Sequence, residues 1–265
     1  MALKQKIAPA MRERNPVVEA RELERRNKYR DPLMEVKVRS EFDNILPAKK
    51  NGVDLGLYAA EAYKRSITKI ATSPENFWGV TEGMLSVQAK KELEKRSKEQ
   101  ERVHFLELGP GFGHGLRLAE GVAANVFAHA LGLNYPHVGS HLLRGNWIQD
   151  CFEKIVVRKK GSREGYFDVI QSRLSLYHAM NKAIALENAL NSLKYGGKLY
   201  HVMPGKTFNS PELLKALERQ GFAIEHTLEE KNGNVHVITR KTGAVADLRA
   251  FYEDTEFNIV PIRAR

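Results

Sequence analysis

Residues 104–116 read HFLELGPGFGHGL. A short apolar run carries one carboxylate, Glu107, and four glycines follow at alternating positions: Gly109, Gly111, Gly113 and Gly115. Glycine permits positive φ and lets a ligand come close to the backbone. A strand, a glycine-rich turn and a helix in succession set backbone N–H groups and a helix N-terminus beside a ligand. Spacing excludes two phosphate-binding patterns. A triphosphate loop needs Lys and then Ser or Thr after its second glycine. Counted from Gly109, His114 takes the glycine position and Gly115 the lysine position. The dinucleotide fingerprint needs a glycine at its sixth position. That position is His114 counted from Gly109 and Leu116 counted from Gly111. What remains is apolar-apolar-Glu-x-Gly-x-Gly-x-Gly, either a pocket for another cofactor or a turn between two elements.

The elements around this loop follow from hydrophobic patterning. Residues 103–108 read as a buried strand, 113–124 as a helix, 126–133 as a second strand and 141–144 as a short third. Tyr166 to Gln171 is a strand rich in β-branched and aromatic residues, and 179–193 is a helix. A Gly-Gly turn leads into a strand over 195–204. The stretch 210–222 is a helix with Ser210 as N-cap, Pro211 at its first position and Gly221 at its end. Residues 222–241 form two strands around Asn232-Gly233, a strong hairpin signal. Strands alternating with helices predict a parallel sheet covered on both faces, with the hairpin turning its last strand antiparallel.

Before residue 102 the signals are helical and loop-like. Residues 16–30, 55–71 and 83–102 read as helices, the last with Glu paired to Lys and Arg at short helical spacing. The expected organisation is a helical N-terminal region over 1–102, an α/β domain over 103–241, and a helix and tail over 242–265. The chain has 265 residues, 42% hydrophobic and 28% charged, enough to bury a core. No apolar stretch approaches membrane-spanning length, and the N-terminal residues lack an apolar signal region. Cys151 is the one cysteine, so no internal disulfide forms. These features predict a soluble, cytoplasmic protein. The net charge of +10 leaves nucleic acid or an acidic substrate open as partner, against the plainer reading of solvated surface charge. The histidines are scattered without Cys or carboxylate at ligand spacing, so no metal is expected.

The stretch Phe105-Leu106-Glu107-Leu108-Gly109-Pro110-Gly111-Phe112-Gly113, in this setting, resembles the first motif of class I S-adenosylmethionine-dependent methyltransferases. The resemblance covers roughly residues 103–241. It implies a Rossmann-like, doubly wound, mostly parallel sheet with an antiparallel last strand, here with an N-terminal helical extension. It also implies S-adenosyl-L-methionine as cofactor and S-adenosyl-L-homocysteine as product. In the family the position of Glu107 helps hold the methionine portion; the alternative is a salt bridge to a helix. Gly109, Pro110, Gly111 and Gly113 then form the cofactor loop.

Three later stretches extend the resemblance. The second strand of the family ends in an acidic residue that binds the ribose hydroxyls, and here Asn134 stands in that place. Its amide offers one acceptor and one donor group, which still bridge a diol. Leu143-Arg144-Gly145-Asn146-Trp147 resembles the third-strand exit, with Asn146 meeting the adenine amino group and Trp147 flanking the ring. Asp150 is the second choice for the polar contact, and a core aromatic the alternative for Trp147. Residues 167–178, FDVIQSRLSLYH, resemble the fourth strand and its exit in small-molecule members, placing Ser172 on the floor of the site.

The implied reaction is in-line methyl transfer, for which alignment and water exclusion are the protein's main task. Where the acceptor needs a base, His178 and Tyr177 are the nearest candidates, with His114 behind them. The alternative for His178 is a helix-capping residue. No Asn-Pro-Pro-aromatic motif, Pro-Cys pair, ribose-methylating Lys-Asp-Lys-Glu set or paired-Glu loop is evident. The expected acceptor is therefore a small molecule. The rivals are an RNA or protein methyltransferase and a non-catalytic, methyltransferase-like scaffold. Tyr58, Tyr63, Phe77 and Trp78 are apolar candidates for an acceptor pocket under an N-terminal lid, and the segment 246–257 is a candidate helix for packing or homodimerisation.

Overall fold

A computed structural model describes residues 31–40, 49–50, 53–54, 85–110, 113–132, 144–148, 150–173, 175–176, 179, 181–203, 210–229 and 233–252. The described elements are strands β1 (Met34–Val38), β2 (Lys49–Lys50) and β3 (Val53–Asp54), helix α1 (Val87–Glu99), strand β4 (Val103–Leu108) and helix α2 (His114–Glu120). Strands β5 (Val126–Leu131), β6 (Trp147–Ile148), β7 (Ile155–Lys159) and β8 (Phe167–Arg173) follow. The chain continues with α3 (Lys182–Asn191), β9 (Leu193–Met203), α4 (Pro211–Arg219), β10 (Phe222–Glu229) and β11 (Gly233–Arg240), then a 3-10 turn over Arg249–Phe251.

Seven strands form one sheet in the order β10-β11-β9-β8-β4-β5-β6. The pairs β4–β5, β4–β8, β5–β6 and β8–β9 are parallel, and β11 is antiparallel to both β9 and β10. The expected antiparallel last strand is therefore present, inserted between β9 and β10. Strand order reverses at β4, so a crevice opens past the carboxyl ends of β4 and β8, where sheets of this kind bind ligands.

Side-chain alternation divides the core between the two sheet faces. On one face Phe105, Ala128, Ala130, Val169, Tyr200 and Val202 pack with Leu116 of α2 and Ala89 and Leu93 of α1. On the other, Leu106, Leu108, Ile170 and Leu199 pack with α3, α4 and β7. Helix α1 thus belongs to the α/β layer although it precedes residue 102. Its N-cap is Ser86, whose Oγ accepts from Ala89 N, and Arg96 and Lys198 converge on Glu92.

The described N-terminal residues are not purely helical, as had been expected. β1 pairs antiparallel with β7, Met34 opposite Lys159 through Val38 opposite Ile155. The pattern MEVKV is too short to declare a strand alone, and it gains its ladder only from residues more than a hundred positions away. The expected helices over 16–30 and 55–71, with Tyr58, Tyr63, Phe77 and Trp78, lie outside the described residues.

Other boundaries also differ. The third strand is β6 at 147–148 rather than 141–144; Arg144 sits in a bend and 141–143 lie outside the described residues. Helix α2 stops at Glu120 rather than 124, because Gly121 and Val122 turn back toward β5. The Gly-Gly pair sits inside β9: Phe167 pairs with Leu193 but Val169 with Lys198, and Gly196 has φ +75 at this irregularity. The described segment after β11 is a turn and irregular chain rather than a helix, with Ala244, Ala246 and Leu248 buried against the core before the 3-10 turn. Helix α4 matches expectation, with Ser210 Oγ accepting from Leu213 N, Pro211 in the first turn and Gly221 at φ +90 just beyond. Among the described residues no helix is long and apolar enough to cross a membrane.

Candidate cofactor site at the switch point

The carboxyl end of β4 runs straight into the glycine loop. Gly109 N donates to Leu131 O at 2.8 Å, and Gly132 N to Ile148 O at 3.2 Å, so the ends of β4, β5 and β6 are laced together. Gly109 has φ +62, and a Cβ there would lie 2.6 Å from Ser175 Cβ and 3.3 Å from Phe152 Cζ. It is the residue type that both the backbone and the space permit. Gly113 N donates to Pro110 O at 2.7 Å, closing the turn, and Gly113, with φ +73, is the N-cap of α2. Pro110 is buried and faces Gly132 across the loop.

Below the loop sits Glu107, 3% exposed. Its register partners are Ala130 on β5 and Gln171 on β8. Gln171 Nε2 donates to Glu107 Oε1 at 3.3 Å, while Oε2 is buried and has no hydrogen-bond partner among the described residues. Burial pushes this carboxyl up to about 8, against the opposing pull of Gln171, the Arg173 guanidinium and the Leu116 backbone N–H. The fourth glycine has a steric role. A Cβ at Gly115 would stand 2.4 Å from Glu107 Oε1 and 2.6 Å from Oε2, so the first turn of α2 can lie on the carboxylate only because Gly115 has no side chain.

The exit of β8 supplies the facing wall. Ser172 is in register with Leu108 and fully buried. Its Oγ lies 2.9 Å from Ser175 Oγ and accepts from Leu176 N at 3.2 Å. These bonds fold the chain after β8 back over Gly109. Past β6, Asp150 Oδ1 accepts from Cys151 N at 2.8 Å. Cys151 is half-buried, and desolvation with the nearby Glu153 and Asp150 pushes its thiol up to about 12, which makes it a poor nucleophile. His114 is held below the usual histidine range by burial and by Arg117.

Glu107, Gly109, Pro110, Gly113 and Ser172 therefore gather at one end of the sheet. Asn146 and Trp147 do not stand where they were expected. Asn146 precedes β6 instead of following it. Its N–H donates to His129 Nδ1 at 3.0 Å, its carbonyl accepts from Ala130 N at 3.0 Å, and its side chain reaches Met34 Sδ at 3.7 Å. Trp147 is in the strand itself, opposite Ala130, and packs, partly buried, against the core cluster of that sheet face. The cause is the shift of the strand toward 147–148, which moves its exit to Asp150. Gly111, Asn134, Tyr177 and His178 lie outside the described residues. Gln171 was not singled out from sequence, although a glutamine inside an otherwise apolar buried strand signals a bonded polar group.

The chain is similar to known proteins in the following ways. A family model described as a methyltransferase domain matches residues 83–242, which takes in α1 and the whole seven-stranded sheet. No curated protein matches. Among solved structures, a 1,6-didemethyltoxoflavin-N1-methyltransferase from Burkholderia thailandensis, with bound 1,6-didemethyltoxoflavin and S-adenosylhomocysteine, is 16% identical with a TM-score of 0.48. That match covers 81% of this chain and 98% of the other. An O-methyltransferase family protein from the same organism is 11% identical with a TM-score of 0.44, covering 86% and 70%. A candidate S-adenosyl-L-methionine-dependent methyltransferase from Methanococcus maripaludis is 14% identical with a TM-score of 0.41, covering 65% and 94%.

Proposed function

This chain belongs to the class I S-adenosylmethionine-dependent methyltransferase family, and on that footing we propose that it methylates a small-molecule acceptor. The residues described fit the cofactor. A loop whose glycines admit close backbone approach lies above a buried carboxylate with one unpartnered oxygen, and a cationic α-ammonium is the complement of such a group. That orphaned oxygen of Glu107 is the observation that carries the reading.

In this reading Glu107 holds the amino end of the methionine portion, and Gly109, Gly111 and Gly113 let the backbone approach it. Asn134 bridges the ribose hydroxyls. Asp150 replaces Asn146 as the polar contact to the adenine amino group, because it stands at the strand exit. When bound, the cofactor supplies a sulfonium-activated methyl group. Ser172 and Ser175 hold the wall beside it, and their mutual hydrogen bond fixes that wall against Gly109. His178 or Tyr177 takes a proton from an acceptor that needs to lose one. Support for a small acceptor comes from the exit of β8, where Ser172-Arg173-Leu174-Ser175 stands in place of a nucleobase-methylating motif.

Titration calorimetry with S-adenosylmethionine and S-adenosylhomocysteine tests the cofactor reading, and no heat at millimolar ligand sinks it. Labelled donor incubated with a fractionated cell extract tests the acceptor. Label in the low-mass fraction supports the proposal, and label in RNA or protein overturns it. A protein that binds cofactor and transfers nothing to any fraction is the scaffold. The net charge of +10 favours RNA as a second reading, for which a salt-dependent gel shift is the direct test.

A further inference from the structure

Glu107 and Gln171 work as a unit beneath the loop. They are register partners on adjacent parallel strands, and both are buried. The Gln171 amide has one orientation available to it. Its Oε1 accepts the Ser86 backbone N–H at 2.8 Å, just before α1, which leaves Nε2 to donate to Glu107 Oε1. A donor at Oε1 fixes that oxygen as an acceptor. The proton of a neutral carboxyl then belongs on Oε2, the oxygen that has no partner among the described residues.

The surroundings favour the neutral form while the site holds no cation. β5 contributes Ala130. α2 contributes the bare Cα of Gly115 and the Leu116 N–H, whose pull toward the ionised form desolvation outweighs. β8 contributes Arg173, the one charged group among the described residues that acts on Glu107, and desolvation outweighs it.

We propose that Glu107 is protonated in the cofactor-free protein and gives up that proton when the α-ammonium of the cofactor arrives, so that cofactor binding is coupled to release of one proton. The O–H bond at Oε2 breaks, the proton passes to solvent, and the resulting carboxylate pairs with an ammonium that keeps its own protons. Gln171 is the positioning residue that reserves Oε2 for this exchange. The inference rests on the reading that this loop holds S-adenosylmethionine.

The test is calorimetry of S-adenosylhomocysteine binding at pH 7 in buffers of different ionisation enthalpy. The slope of heat against buffer enthalpy counts protons, and release of about one is expected. The dissociation constant of the unaltered protein falls about tenfold from pH 6 to pH 7 and levels off above pH 8. Methylthioadenosine, which lacks the amino-acid end, binds without proton release. Glu107→Gln releases none, and Gln171→Leu moves the profile to higher pH because the neutral carboxyl loses less than the ionised one. Binding of S-adenosylhomocysteine with no proton release and a flat pH profile overturns the inference alone. No binding at millimolar concentration overturns the cofactor assignment, and this inference with it.

Discussion

At the residue scale, Glu107 shows how a buried carboxyl works against folding stability. Its folded-state carboxyl lies near 8 and its unfolded-state value in the ordinary carboxylate range, so the folded chain holds one extra proton between roughly pH 4.5 and 8. Stability from this group therefore falls as pH rises through that window. Glu107→Gln removes the cost, and at pH 7.5 the cofactor-free variant should melt several degrees above the parent, a gain of about 1–3 kcal/mol. A variant that melts lower at pH 7.5 would mean that the carboxylate is paired in the empty site. Gly115→Ala puts a methyl group on the Glu107 carboxylate. The expected result is a folded protein whose S-adenosylhomocysteine affinity drops by about tenfold or more, read by calorimetry. Unchanged affinity would show that the carboxylate can move aside without loss.

At the element scale, α3 explains how the flanks of the domain are tied to its core. Every residue of this helix is buried, including Glu187, Asn188 and Asn191. An apolar stripe would suffice for a helix lying on a sheet, but α3 is covered on its outer side too, so its polar groups need partners. Arg39, preceding the α/β layer in sequence, donates to Glu187 Oε1 and Asn188 Oδ1, each at 2.7 Å. From the other flank, Leu248 N and Tyr252 Oη donate to Glu187 Oε2, and Asn191 exchanges bonds with Ala246. Glu187→Ala unfastens both flanks and leaves Arg39 without its carboxylate, and should lower the unfolding free energy by about 2–4 kcal/mol. Arg39→Ala should cost less, about 1 kcal/mol, because its guanidinium is partly open to water. Urea denaturation of the two variants checks the order, and equal losses would place the clasp elsewhere. The same elements show why β1 was missed. A five-residue strand and an irregular segment after β11 carry little local signal, and each is held by a distant partner.

At the scale of the whole molecule, buried histidines set the response to acid. His104 is pushed down to about 4 and His201 to about 3, both mainly by burial, and His129 and His236 are lowered for the same first reason. His104 Nδ1 lies 3.2 Å from His129 Nε2 across β4 and β5, while His236 is the register partner of His201 across β11 and β9. Each group binds fewer protons folded than unfolded between its folded value and the usual 6.5, so its contribution is complete above pH 6.5 and is lost as pH falls toward 4. Unfolding at pH 5 should take up protons, and the melting temperature should drop steadily below pH 6.5. A flat profile from pH 7 to 4.5 would mean that these rings are more accessible than their burial states. With Glu107 acting in the opposite sense above pH 5, cofactor-free stability should peak in the mildly acidic to neutral range.

The sequence by itself determined the local chemistry: a carboxylate before spaced glycines, Ser210-Pro211 at a helix start, and a hairpin signal where β10 turns into β11. These signals rest on conformations that few residue types adopt, so they survive without tertiary context. It also determined the alternation of strands and helices, and through the glycine loop the family. The tertiary structure decided which residues meet across strands. Register set Gln171 beside Glu107 and Ser172 beside Leu108. A two-residue strand displaced the β6 exit from Asn146 to Asp150. Desolvation, which no spacing reveals, pushes the Glu107 carboxyl from the ordinary range up to about 8. Sequence names the groups, and their charge states follow from what the fold packs around them.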